Sequence, residues 1–351
     1  MTFCVAYLNI WIEVGVLGKP KMSDDSVKQA RERMKNAALS VKQDCERKGI
    51  KPNHFVMTQP GHEFDIADKI AEHIPTFIKE MSSFWTRFLV GAIYLAVVLL
   101  SFYFGNLTTM IVLCLISVIS SQEFYYMVRK ESRLPNELIG VIGAVSYIPA
   151  MNYFGFKGCA SVTFLLLLVL LVWYVFWMKA KVDDVGISFF GAVYTGGFLS
   201  GFMYLSSNLN SSISHWVLII IFLSVCANDS FAYLIGRAFG RHKLAPRTSP
   251  NKTWEGFLAG IVGCTCFWVI FSYMPYVQLE LWMSILFGIV SALLQVLGDL
   301  AESRIKRNAG FKDSGWVMPG HGGLLDRCDS LFLASVSSVI MFIISGVVPL
   351  G

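Results

Sequence analysis

The chain has 351 residues, of which 55% are hydrophobic and only 15% charged, against roughly 25% charged in ordinary soluble domains. Its net charge is +5, and thirteen of its twenty-nine Lys and Arg fall between residues 19 and 87, while the remainder is one apolar block after another. A soluble domain interleaves charge along every element, so this distribution excludes a single soluble globule; basic residues gathered beside apolar runs suit an anionic membrane surface and not a nucleic acid.

Residues 1–85 read as a cytosolic N-terminal extension, partly helical. The first eighteen are apolar, but Glu13 interrupts them and neither a basic n-region nor a small-residue cleavage site accompanies them, so they read as an interfacial segment and not as a signal peptide. Val27, Ala30, Met34, Ala37, Val41 and Cys45 then recur at helical spacing up to Gly49. Phe64, Ile70, Ile74, Phe77, Ile78 and Met81 form a second stripe, which fits either a helix lying in the interface or one packed on a partner.

Residues 86–351 form a transmembrane domain. Crossing a bilayer takes roughly 17–25 apolar residues, and about nine such stretches follow, near 86–104, 106–123, 137–155, 159–178, 186–206, 214–236, 254–274, 280–299 and 328–350. Lipid offers no hydrogen-bond partners to a backbone, so these runs must be helices and the fold class is an all-α polytopic membrane protein. The loops at 124–136, 179–185, 237–253 and 300–327 are basic, while the alternate loops hold only Lys157 between them. That alternation predicts nine helices with the N-terminus cytoplasmic. The eight cysteines include no CxxC pair, which excludes a zinc or disulfide framework.

Three polar groups fall on the same, cytoplasmic, side. Asn228-Asp229 lies inside the sixth stretch, where a carboxylate is either functional or held by a structural partner. The loop from Arg237 ends in Ser249-Pro250-Asn251-Lys252-Thr253-Trp254-Glu255-Gly256, whose hydroxyls, lysine and helix-start amides make either a phosphate cradle or an ordinary interfacial anchor. The third group is the most specific. Asp299, Glu302, Ser303 and Lys306 share one helical face, followed by Arg307 and Lys312-Asp313-Ser314-Gly315. A bend Pro319-Gly320-His321-Gly322-Gly323 then leads to Asp326-Arg327-Cys328-Asp329, where Asp326 and Asp329 are neighbours on the next helix. Carboxylates without cysteine partners select hard divalent cations, lysines and arginines suit a polyphosphate, and glycines let backbone approach an anion closely. Five acidic residues interleaved with the basic ones distinguish this segment from a loop that merely binds anionic lipid.

At these residues the sequence resembles the phosphatidate cytidylyltransferase (CDP-diacylglycerol synthase) family. The family signature is matched at Ser303, Ile305, Lys306, Arg307, Lys312, Asp313, Gly315, Pro319, His321, Gly322, Gly323, Leu324, Asp326, Arg327 and Asp329. Met318 and Cys328 stand where the family usually has another apolar residue, and Asn251 replaces a frequent lysine in the Ser249–Gly256 stretch. Asn228, Asp229, Tyr233, Gly236 and Arg237 also fit, and the likeness covers roughly residues 86–350.

The resemblance implies the conversion of CTP and phosphatidate to CDP-diacylglycerol and pyrophosphate by a homodimer in the endoplasmic reticulum membrane, with the site facing the cytosol. It also implies a metal centre pairing Mg²⁺ with a monovalent ion such as K⁺, held at Asp299 and Asp326, with Asp329 and Glu302 as further candidate ligands. Lys306, Arg307 and Lys312 would then neutralise the triphosphate, with Asp313 and Arg327 completing the catalytic set. Asp229, Arg237, Ser249, Lys252, Thr253, Glu255, Ser303, Gly322 and Gly323 would bind substrate, while His321 either protonates pyrophosphate or fixes the loop. A CTP-dependent polyprenol kinase would keep the same metal and phosphate logic with another acceptor. The Asp-Gly-x-x-Ala-Arg core of CDP-alcohol phosphotransferases is absent, and the internal repeats and multiple mid-bilayer charges of a transporter are not seen.

Overall fold

The computed structural model describes residues 83–129, 134–246, 248–273, 279–315, 317–318 and 322–348. The expected N-terminal interfacial segment and both stripes of the extension lie outside the described residues, as do Pro319, Gly320 and His321.

The described chain is helical apart from one short ribbon. In order come α1 (Ser83–Phe104), α2 (Asn106–Arg129), α3 (Glu137–Phe176), α4 (Val182–Ala192), a π-helical turn (Val193–Gly197), α5 (Gly201–Asn208) and α6 (Ser211–Phe239). Strands β1 (Lys243–Ala245) and β2 (Ser249–Thr253) follow, then α7 (Trp254–Ser272), α8 (Leu281–Asn308) and α9 (Leu325–Ile344). Among the described residues seven helices are long and apolar enough to cross a membrane, with α4, the π turn and α5 forming one continuous crossing, Val182–Asn208. In α1 a shorter apolar stretch, Leu89–Phe104, adds to them.

The expected stretches 137–155 and 159–178 both fall in α3, which is folded back on itself. Gly155 adopts φ 59°, ψ −144°, a conformation open essentially to glycine alone. Beyond it Gly158 packs against Ala150 and Phe154, and the Tyr147 hydroxyl reaches the Thr163 hydroxyl at 2.9 Å. In a straight helix residues that far apart would be separated by about 24 Å. The second arm turns Phe164, Leu165, Leu168 and Val172 outward, as expected of a lipid-facing surface.

The interior gathers α9 with parts of α1, α2, α5 and α6. Phe102 stacks on Phe202 at 5.6 Å and meets Phe222 edge-on at 6.4 Å. Helices α6 and α7 approach through small residues: a Cβ on Gly256 would lie 2.6 Å from the Ala232 carbonyl oxygen and 3.1 Å from Gly236 Cα. Such spacing of small residues is how membrane helices come close when both sides are equally apolar. The ribbon corrects the reading of 237–253 as loop alone. It pairs Lys243 with Thr253 and Ala245 with Ser249 in antiparallel register, and Pro250 is tolerated because a two-stranded ribbon has an open edge.

A Cβ at Gly155 would meet nothing within 4 Å, so Gly155→Ala isolates the backbone cost of the fold-back. We expect a loss of about 1–3 kcal/mol, read as a lower midpoint of thermal unfolding in detergent.

Candidate functional site

Five helix ends converge: the C-terminal ends of α2, α6 and α8 and the N-terminal ends of α7 and α9. The ribbon joins them, because Lys252 Nζ on β2 reaches Asp299 Oδ2 on α8 at 2.5 Å and Arg307 Nε donates to the Thr248 carbonyl at 3.4 Å. All three polar groups singled out in the sequence therefore meet at one end of the bundle.

Between α6, the ribbon, α7 and α8 lies a cleft of about 570 Å³, within the usual range of small-molecule sites. Asp229, Arg237, Lys243, Lys252, Thr253 and Asp299 line it. Asp229 stands ten residues before the end of α6, since the helix runs on to Phe239, three residues past the expected stretch. The Arg237 guanidinium lies 5.9 Å from the Tyr233 ring centroid and donates to its hydroxyl at 2.8 Å.

The start of α7 is less open to an anion than its sequence suggests. Thr253 is the N-cap and its hydroxyl already accepts the Gly256 amide at 3.2 Å, while the Trp254 amide donates to the His242 carbonyl at 2.9 Å. Glu255 meets the His242 ring at 2.7 Å and accepts its backbone amide at 3.2 Å, so it pins the ribbon to the helix. Ser249 begins β2 beside them. Of this stretch, Lys252 is the side chain that reaches the carboxylates.

A second cluster centres on Lys306. Its ammonium bonds Glu302 Oε2 and Asp326 Oδ1, each at 2.5 Å. Asp326 Oδ2 accepts the amides of Ser314 and Gly323, both at 2.9 Å. One turn back on α8, Ser303 donates to Asp299 Oδ1 at 3.1 Å. The shared face inferred from spacing thus appears as two i, i+4 contacts. Asp329 is buried one turn further along α9, its carboxylate accepting the Ser330 amide at 2.6 Å. Its backbone is pressed against Gly298, where a Cβ would lie 2.6 Å from the Asp329 carbonyl oxygen. Asp229, Asp299 and Asp329 are near enough for their charges to interact.

Other expected residues have plainer surroundings. Arg307 Nη1 donates to the Phe311 carbonyl at 2.9 Å, so this guanidinium ties the ribbon and the end of α8 together. Lys312, Asp313 and Arg327 are exposed. Gly322 takes φ +89° and its carbonyl accepts the Met318 amide at 3.0 Å; Gly323 has no room for a Cβ beside Ser314.

The four candidate metal ligands do not form one cage. Among the described residues no three His, Cys, Asp or Glu side chains converge as a ready-made group. Asp299 faces Lys252, Glu302 and Asp326 share Lys306, and Asp329 turns to backbone. The chemistry of the donors still fits a hard divalent cation, since all are carboxylate oxygens and the buried Glu302 Oε1 has no hydrogen-bond partner.

Sequence reasoning missed Glu123. It is buried near the end of α2 and accepts the amides of Leu324 at 3.1 Å and Leu325 at 2.8 Å. The signal was available, as a lone carboxylate in an apolar helix. Tyr194 was missed as well: it sits in the π turn, a feature frequent at functional sites, and its buried hydroxyl has no hydrogen-bond partner.

A family model described as the cytidylyltransferase family matches residues 85–345. Similar proteins include the phosphatidate cytidylyltransferase of Staphylococcus haemolyticus (strain JCSC1435), 39% identical over 142 residues, 40% of this chain and 54% of that protein. Phosphatidate cytidylyltransferase 4, chloroplastic, of Arabidopsis thaliana is 47% identical over 123 residues, 33% of this chain and 31% of that protein. The phosphatidate cytidylyltransferase of Haemophilus influenzae (strain ATCC 51907 / DSM 11121 / KW20 / Rd) is 43% identical over 123 residues, 34% of this chain and 43% of that protein. The chain spans about half or less of the length of these relatives.

Removing Lys306 leaves Glu302 and Asp326 facing each other away from water. Lys306→Met should cost about 3–5 kcal/mol, the usual effect of breaking a buried pair by one partner. Adding Glu302→Gln should recover part of that loss in thermal unfolding, because the repulsion between the two carboxylates is gone and Asp326 keeps the Ser314 and Gly323 amides.

Proposed function

The chain belongs to the cytidylyltransferase family, and from that premise we propose that it transfers CMP from CTP to phosphatidate, forming CDP-diacylglycerol and pyrophosphate in phospholipid synthesis. The observation that carries this reading is the cleft itself. It brings Arg237, Lys243 and Lys252 together with Asp229 and Asp299 at the end of a membrane bundle. Basic side chains there would draw in a triphosphate, and the carboxylates suit a metal-assisted transfer.

In the reaction a phosphate oxygen of phosphatidate attacks the α-phosphorus of CTP. The new P–O bond forms as the bond to the β-phosphate oxygen breaks, and pyrophosphate leaves with that electron pair. The nucleophile is already an anion, so no strong general base is required. Asp299 and Asp326, with Asp329 and Glu302 beside them, are the residues that would hold Mg²⁺, which when bound neutralises charge on the phosphates. Lys252 and Arg237 line the cleft and are better placed for the triphosphate than Arg307, whose donors go to backbone carbonyls. Lys306 keeps Asp326 and Glu302 oriented.

We propose a topology to match. Counting α1 and both arms of α3 as crossings would give nine, with the basic loops, the cleft and the N-terminus in the cytosol. From the habit of the family we also propose a homodimer in the endoplasmic reticulum membrane.

Purified protein in detergent, given labelled CTP, phosphatidate and Mg²⁺, should form labelled CDP-diacylglycerol. Excess chelator should abolish the product, and Asp326→Asn should lower kcat by about 100-fold or more. Folded protein that binds CTP yet transfers nothing to phosphatidate would overturn the reading and direct the search to polyprenol acceptors.

A further inference from the structure

We propose that Glu123, which lies outside every signature motif, is a positioning residue: it holds the Ser314 hydroxyl and the Leu324 and Leu325 amides together and thereby sets the orientation of Asp326. The proposal rests on the nucleotidyl-transfer reading for its kinetic consequences and on geometry alone for the clamp.

Helix α9 begins without a capping side chain of its own, because Leu324 occupies the N-cap. Its first amides need acceptors from elsewhere. Glu123 supplies them across 201 residues of sequence, with Oε1 taking the Leu324 amide and Oε2 the Leu325 amide. The Ser314 hydroxyl donates to Oε2 as well, at 3.2 Å. The side chain is 2% exposed, so these donors replace the water it has lost.

Asp326 holds the other half of the same loop. Its Oδ2 takes the Gly323 and Ser314 amides. Consecutive amides at 323, 324 and 325 are thus divided between two carboxylates, and Ser314 bonds both, by its amide to Asp326 and by its hydroxyl to Glu123. With Oδ2 held in this way, Oδ1 alone is turned to Lys306. Any shift of the loop off Glu123 is transmitted to Asp326 through Ser314 and Gly323.

The clamp also accounts for two of the glycines. A Cβ on Gly315 would lie 2.5 Å from Glu123 Oε1, and one on Gly323 would lie 2.6 Å from Oε2. The carboxylate passes between them, so those glycines make room for a protein side chain as well as for any anion. Supporting contacts one step removed from a reacting group typically change activity or metal affinity by about 10–100-fold when lost.

Glu123→Gln keeps the shape but turns an acceptor into a donor that opposes an amide. The expected result is a kcat about 10–100-fold lower and a raised Mg²⁺ concentration for half-maximal activity, with the thermal midpoint nearly unchanged. Peptides covering 314–325 should exchange amide hydrogens faster. Ser314→Ala, a milder cut of the same clamp, should move each readout in the same direction, and it carries the test alone if the Gln variant does not fold. Wild-type kcat and Mg²⁺ response in a folded variant would overturn the positioning role. If the wild-type protein makes no CDP-diacylglycerol, the functional reading falls, while the exchange measurement still decides the clamp: unchanged protection of 314–325 would refute it.

Discussion

Carboxylates withdrawn from water at the end of a membrane bundle must be neutralised, and the contact on which the site depends is Lys306 between Glu302 and Asp326. Two successive helices are joined by it. Lys306 and Glu302 come from one turn of α8, and Asp326 from the start of α9. Through the second oxygen of Asp326 the connecting turn at Ser314 and Gly323 is fixed as well. In a low-dielectric setting such a pair is costly to form and costlier to break by halves. Retaining it makes more sense as a means of holding geometry than as a source of stability.

The second constraint is close approach. The ribbon and α7 reach α8 because α6 and α7 meet through Gly236, Gly256 and Gly260, and α8 and α9 meet at Gly298. Side chains on those faces would push the helix ends apart by the width of a methyl group or more, which would separate Lys252 from Asp299. Small residues in the membrane interior and charged residues at its edge therefore act together, the first setting the distance across which the second can bond.

Much of this was legible in the sequence, for identifiable reasons. Apolar length and the absence of backbone partners in lipid dictated the helices, and i, i+4 spacing on α8 foretold the Asp299–Ser303 and Glu302–Lys306 contacts. The fold-back of α3 was visible as two separate apolar stretches, although nothing in the sequence showed that helix continues to within one residue of Gly155 on either side. What stayed hidden depends on contacts between remote segments. The cap on α9 comes from Glu123, some two hundred residues earlier, and no local rule links Ser-Gln-Glu in one helix to Leu-Leu at the start of another. The reading of free amides at the start of α7 missed that Thr253 and the His242 carbonyl take two of them, because the ribbon that brings His242 there is itself a tertiary feature.

The division of the acidic residues into two lysine-bound groups bears on how the site would work. Lys252 with Asp299 lines the cleft, whereas Lys306 holds Glu302 and the Asp326 carboxylate that also binds the Ser314 and Gly323 amides. An incoming polyphosphate offers Lys252 a more highly charged partner than Asp299, and a divalent cation offers Asp299 a stronger one than Lys252. On the proposed reaction the arrival of nucleotide and metal together would thus exchange one ion pair for two, leaving no group newly buried without a counter-charge. Asp326 has less freedom, since one of its oxygens is committed to two backbone amides. On that proposal the cleft side of the site would exchange partners while the loop side, with Glu123, would stay in place.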